Sequence, residues 1–258
     1  MLGRIWAIAL NTFREAARIK VLYGVLVLVF GANFLALVLG QMSYHEDVRV
    51  AKDIGLAGMS LFGSLTAILL GLFLLYNEVQ KRTVHAIVSK PIERWEFVVG
   101  KWLGMALVLS VLVGLFALAM VLMLVVQGAG MSDDLVKATL LAWVEVLTVA
   151  AIAIFFSSFS TPFLAGIFSL AMWVIGRVTP EIEAATRFAS TWIRIVAKVA
   201  LEIVPEIHLF SPSGRGDVSI HGNFVSWGYV AMASLHGLGW IIGLLALACL
   251  LFQRRDFV

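Results

Sequence analysis

The sequence predicts an all-α membrane protein: six transmembrane helices forming one domain over residues 1–258. Three observations carry that reading. Hydrophobic residues make up 61% of the 258 residues and charged residues only 14%; ordinary soluble domains hold about 45–50% and about 25%. Mean hydropathy is +0.99. The apolar residues also fall in unbroken runs near the roughly 20 residues a helix needs to cross a bilayer, not in the alternating segments of roughly ten that build a barrel. Together these exclude a soluble globule and a disordered chain. The single cysteine, Cys249, leaves no intramolecular disulfide, and no Cys/His spacing suggests a zinc site.

The elements follow in order. Over residues 1–20, Arg4, Asn11, Arg14, Glu15 and Arg18 fall within an arc of about 100°, with apolar residues elsewhere, as in a helix lying in a membrane interface. The plainer alternative extends the first span into the cytoplasm, leaving that apolar arc in water. Charges precede the first long apolar run and no small-residue cleavage site follows it, so that run reads as a retained span. The spans are 21–40, 54–76, 102–126, 138–159, 162–176 and 229–252. The fifth is short and ends at Arg177, so it reaches the headgroups only by snorkelling or local thinning.

Lys and Arg placement sets the orientation. With the N-terminus inside, the inner segments hold Arg4, Arg14, Arg18 and Lys20, then Lys81, Arg82, Lys90, Arg94 and Lys101, then Arg254 and Arg255. The two short outer loops hold only Arg49, Lys52 and Lys137. Both termini are therefore expected in the cytoplasm.

Two long segments join the spans. Residues 77–101 form a polar inner segment interrupted by Pro91, longer than the roughly two to eight residues usual between bundled helices. Residues 177–228 lie outside. Between Pro180 and Pro205 they carry an amphipathic helix, with Arg187, Thr191, Arg194, Lys198 and Glu202 on one face and Phe188, Trp192, Ile195, Val199 and Ile203 on the other. Basic residues in mid-run argue against a span. The tripeptide Arg215-Gly216-Asp217 is too short a match to carry weight.

Candidate chemistry is sparse. Gly100-Lys101 is followed by Trp102 and lacks the upstream glycine of a phosphate-binding loop. Gly63-Ser64 and His236 do not build a serine-nucleophile motif. Met120 and Met123 read as apolar filler. Two ionisable groups stand inside spans: Glu145 in the fourth and His236 in the sixth. A charge there costs a few kcal/mol unless paired or neutralised. Local hydroxyls, Thr148 or Ser234, are the simpler partners; a Glu145–His236 pair, at similar depth from the same side, is the sharper expectation. Small residues mark close helix approach: Gly63, Ala67 and Gly71 in the second span, Gly239 and Gly243 in the sixth.

The order of parts resembles the membrane subunits of ABC-2 type transporters, in the subgroup with one permease domain and no fused ATPase. The most specific stretch is the inner segment, where Glu78, Thr83, Ser89, Pro91, Arg94, Gly100 and Lys101 match the pattern E-x4-T-x5-S-x-P-x2-R-x5-G-K often seen there. The resemblance implies an elbow helix at 1–20, a coupling helix in 77–101, and an extracytoplasmic helical loop at 177–228. It implies an exporter in a bacterial or archaeal cytoplasmic membrane, surrounded by lipid. It implies a homodimer of permease copies bound to separate ATPase subunits, with ATP and Mg on those partners, no cofactor on this chain and no nucleic acid. The chain would then be no enzyme itself. The alternative reading is an ATP-independent secondary transporter or an intramembrane enzyme. A transporter of that kind would show broken helices with several midplane charges, and an enzyme would show clustered polar residues in its spans; neither pattern is evident.

Overall fold

The computed structural model describes residues 2–42, 47–80, 93–128, 132–187, 190–211 and 225–253. Among these it is helical, with no strand. The helices are α1 (Leu2–Ala17), α2 (Lys20–Met42), α3 (Asp47–Gln80), α4 (Arg94–Val126), α5 (Asp133–Phe159), α6 (Pro162–Arg177), α7 (Thr179–Thr186), α8 (Thr191–Glu202) and α9 (Trp227–Gln253), with a 3-10 turn at Ile207–Phe210 before α9.

Local chemistry explains the breaks. At the start of α4 the Glu93 amide donates to the Glu96 carboxylate at 3.3 Å, the return half of a capping box. α4 ends where Gly128 takes φ +75°, a left-handed conformation that only glycine adopts cheaply. Asp133 and Asp134 open α5, where negative charge suits the helix dipole. Pro162 opens α6, and the residue before it, Thr161, is extended, as the proline ring requires.

The chain is a multi-pass membrane protein. Among the described residues, four helical stretches are long and apolar enough to cross a bilayer: Ala51–Leu74, Arg94–Val126, Asp133–Phe159 and Trp227–Phe252. α6 and α7 meet at a 63° bend and make a fifth crossing if the pair is one broken span. α2 runs over Lys20–Met42, with Tyr23–Leu35 as a shorter apolar helix.

α5 is the centre of the bundle. Its consecutive residues Val149–Ala153 are all fully buried, which needs neighbours on every side. α3 lies along one flank and α9 along another, with α4 and α6 completing the ring. The α3 contact is close because its facing residues are small. A Cβ at Gly63 would stand 2.7 Å from Val146 Cγ2, and one at Gly71 would stand 2.6 Å from Ala153 Cβ; Ala67 between them is fully buried. On α9 the close contact is made by Gly237, whose Cβ would lie 2.6 Å from Val144 Cγ1. The packing expected of Gly239 and Gly243 is not made within the described chain: nothing stands within 4 Å of either Cβ position. Both glycines sit on the α9 face turned away from α5.

The amphipathic helix expected between Pro180 and Pro205 is α8, Thr191–Glu202. α7 and α8 are separate, and α8 buries none of its residues. Beyond α8 the chain turns back into the bundle: Ile207 and Phe210 are buried, the Pro205 carbonyl lies against Gly176, and the Tyr229 hydroxyl donates to the Leu209 carbonyl at 2.8 Å.

Candidate functional site: a buried ion pair and a helix junction

Glu145 lies on the most enclosed helix and is 2% exposed. Two neighbouring helices supply its partners. From α6, the Arg177 guanidinium Nη1 and the Trp173 indole Nε1 each donate to Oε1 at 3.0 Å. From α3, the Ser60 hydroxyl donates to Oε2 at 2.8 Å and accepts from Arg177 Nη1 at 2.6 Å. Trp173 and Arg177 are four residues apart and so share a face of α6; the guanidinium carbon lies 6.0 Å from the indole centroid, within cation–π reach. A carboxylate this enclosed would be costly alone. Here each oxygen has a donor and the charge has a counterion, so the ionised pair is satisfied inside the bundle.

The positions of these groups follow from the fold. Arg177 closes α6 just before the 63° bend, so its long side chain starts at the broken tip of the short span and reaches inward. Glu145 stands 12 residues after Asp133, roughly 18 Å along α5 at the ordinary helical rise. The cluster can bind charge and hold three helices in register. It offers no activated nucleophile.

The two expected arrangements for Glu145 are both replaced. The Thr148 hydroxyl donates to its own helix at the Val144 carbonyl, 2.9 Å away. His236 is not the partner either: its Nε2 accepts from the Trp240 indole at 3.1 Å, one turn along α9. Sequence reasoning missed the Arg177 pairing: Arg177 marks the end of a short span, which places its side chain at the headgroups, not inside the bundle where it is found. What sequence could not show was that the end lies deep enough to reach α5.

A second constellation gathers at the opposite end of α3, where α1, α4 and α9 meet. Lys101 is 1% exposed. Its ammonium lies 3.5 Å from the Glu15 carboxylate of α1, donates to the Leu74 carbonyl of α3 at 3.4 Å, and stands 5.8 Å over the Phe97 ring. Gly100 and Gly104 seat α1: their Cβ positions would fall 2.8 Å from Ile8 Cβ and 2.5 Å from Thr12 Cβ. Arg4 of α1 lies 3.8 Å from Glu96. Arg94 donates to the Phe252 carbonyl of α9 at 3.2 Å, and Phe97 stacks on Phe252 at 5.8 Å. Thus Arg94, Gly100 and Lys101 join helices to one another. Glu78 falls in the last turn of α3. Thr83, Ser89 and Pro91 lie outside the described residues.

A family model described as ABC-2 family transporter protein matches residues 6–257 of the chain. No curated protein matches it.

Proposed function

The chain belongs to the ABC-2 transporter family, and from that premise we propose that it is the permease of an exporter, six spans with both termini cytoplasmic, working as a homodimer coupled to separate ATPase subunits. Family membership makes it the membrane component of an ABC transporter and not a catalytic chain in its own right. That sets aside the ATP-independent alternatives. The observation supporting the rest is the family match, which covers residues 6–257 and so nearly the whole sequence.

In this reading α1 is the elbow helix and residues 77–101 are the coupling segment. The junction supports it. The segment emerges from α3 and re-enters at α4, and both helix ends are tied to α1 through Lys101, Glu15, Gly100 and Gly104. A partner pressing on the segment would therefore move α1, α3 and α4 as one body. Glu78, Thr83, Ser89, Pro91 and Arg94 would meet the ATPase or shape the segment that does. Gly100 and Lys101 serve as its anchor, since both are inside the bundle. ATP and Mg are held by the partner, and the partner drives the permease by binding its conformations unequally.

The Arg177–Glu145 pair acts as a latch in this scheme. It holds α3, α5 and α6 in one arrangement, and separating α6 from α5 breaks it.

The test is reconstitution with the cognate ATPase. Purified chain should co-purify with the ATPase and stimulate its turnover. Glu78→Arg combined with Arg94→Glu should abolish stimulation while membrane insertion persists. Unchanged binding and stimulation in that variant would make the segment a passive connector.

A further inference from the structure

We propose that the groove between α7 and α8 is a binding site for the headgroup of an anionic phospholipid, whose acyl chains lie along the apolar face of α8. The groove has a volume of about 270 Å³ and is lined by Glu183, Thr186, Arg187, Arg194, Lys198 and Leu201. Three cations and one carboxylate face the same space. Arg194 Nη2 donates to the Arg187 carbonyl at 3.2 Å, which fixes that guanidinium at the rim. No carboxylate among the described residues forms an ion pair with Arg187, Arg194 or Lys198, and Glu183 lines the groove without neutralising them.

The helix beside the groove identifies the occupant. At 100° per residue, Arg194, Lys198 and Leu201 fall within an arc of about 60° on α8. Trp192, Ile195, Val196 and Val199 occupy an arc that begins about 60° around the helix from Lys198, and none is covered by the chain; Trp192 is 74% exposed. Apolar surface of that extent does not stay in water in a protein of this kind. A cationic groove and an uncovered apolar face on one helix match a molecule with a phosphate at one end and hydrocarbon at the other. A free anion would use the cations and leave the apolar arc bare. A second protein copy would need carboxylates opposite the groove, and the chain's own face offers an excess of cations. The aromatic Trp192 suits the boundary between headgroups and hydrocarbon. The site goes beyond the permease reading and does not depend on which side of the membrane the segment occupies.

Native mass spectrometry of the full chain in detergent tests this directly. Offered phosphatidylglycerol and phosphatidylcholine together, the wild-type chain should retain phosphatidylglycerol in preference. Neutralising each cation should weaken that preference by about fivefold, so Arg187→Gln, Arg194→Gln and Lys198→Gln combined should remove it. All three side chains are exposed or line an open groove, so the variant should keep the wild-type Tm in phosphatidylcholine. An undiminished preference in the triple variant overturns the proposal. Displacement of the lipid by inorganic phosphate would reduce the groove to a simple anion site and also overturn it. So would efficient disulfide-linked dimers from Trp192→Cys in a Cys249→Ser background, because a second copy would then cover the face.

Discussion

Arg177 and Glu145 meet at 3.0 Å, although one closes a short helix and the other lies in the middle of the most enclosed one. The guanidinium is 25% exposed at its side chain and the carboxylate 2%, so the pair runs from the bent tip of α6 into the centre of the bundle. Ser60 bridges it to α3 and Trp173 supports it from within α6. Three helices, α3, α5 and α6, are joined through one carboxylate.

Breaking either side of this pair should be costly. Glu145→Gln or Arg177→Gln alone should destabilise the chain by about 3–5 kcal/mol, because the remaining charge is left buried without its counterion. The double variant Glu145→Leu with Arg177→Met should recover much of that loss. A thermal-unfolding double-mutant cycle in detergent measures the coupling, and additive losses would show that the pair contributes nothing as a unit.

His236 provides the matching control. It shares no partner with Glu145, since its bond is to Trp240. Losses from His236→Gln and Glu145→Gln should therefore add to within about 0.5 kcal/mol. Strong non-additivity in the same unfolding measurement would mean the two groups communicate.

The α3–α5 contact should reject bulk. Ala67 is fully buried between Gly63 and Gly71, both close against α5. Ala67→Leu adds carbons where no space exists and should cost about 1–3 kcal/mol, read as a lowered Tm. A variant as stable as wild type would show that the helices can separate freely at this seam.

Seating of the elbow helix should depend on Gly104. A Cβ there would stand 2.6 Å from the Ala9 carbonyl as well as against Thr12, and a backbone atom cannot rotate aside. Gly104→Val should unseat α1, making it sensitive to protease, while the spans remain inserted. Stimulation of the partner ATPase should fall in parallel. Protection of α1 equal to wild type would contradict this seating.

Topology is tested outside the described residues. With Cys249→Ser as background, Ser213→Cys should react with an impermeant thiol reagent from outside the cell. Labelling only from the cytoplasmic face would reverse the orientation derived from the basic residues.

Sequence alone determined the class of protein, the place of most helices and their polar boundaries. These are local properties. Whether a stretch such as 138–159 is apolar enough to leave water depends on its own residues, and Asp133, Gly128 and Pro162 mark helix ends through their own backbone and charge preferences. The family resemblance was also readable, because the spaced residues from Glu78 to Lys101 form a nearly contiguous pattern. What only the tertiary structure decided was which face of each helix meets which neighbour. Gly237 packs against Val144 while the more conspicuous Gly239 and Gly243 turn away, and Glu145 takes its charge partner from Arg177 and not from His236. The physical reason is that helices such as α5 and α9 are apolar on every side. Neighbouring helices and lipid chains are equally apolar solvents for them, so periodicity leaves no stripe to mark the buried face. Rotation about the helix axis is then set by shape and by a few polar bonds between residues far apart in the chain, and those exist only once the bundle is assembled.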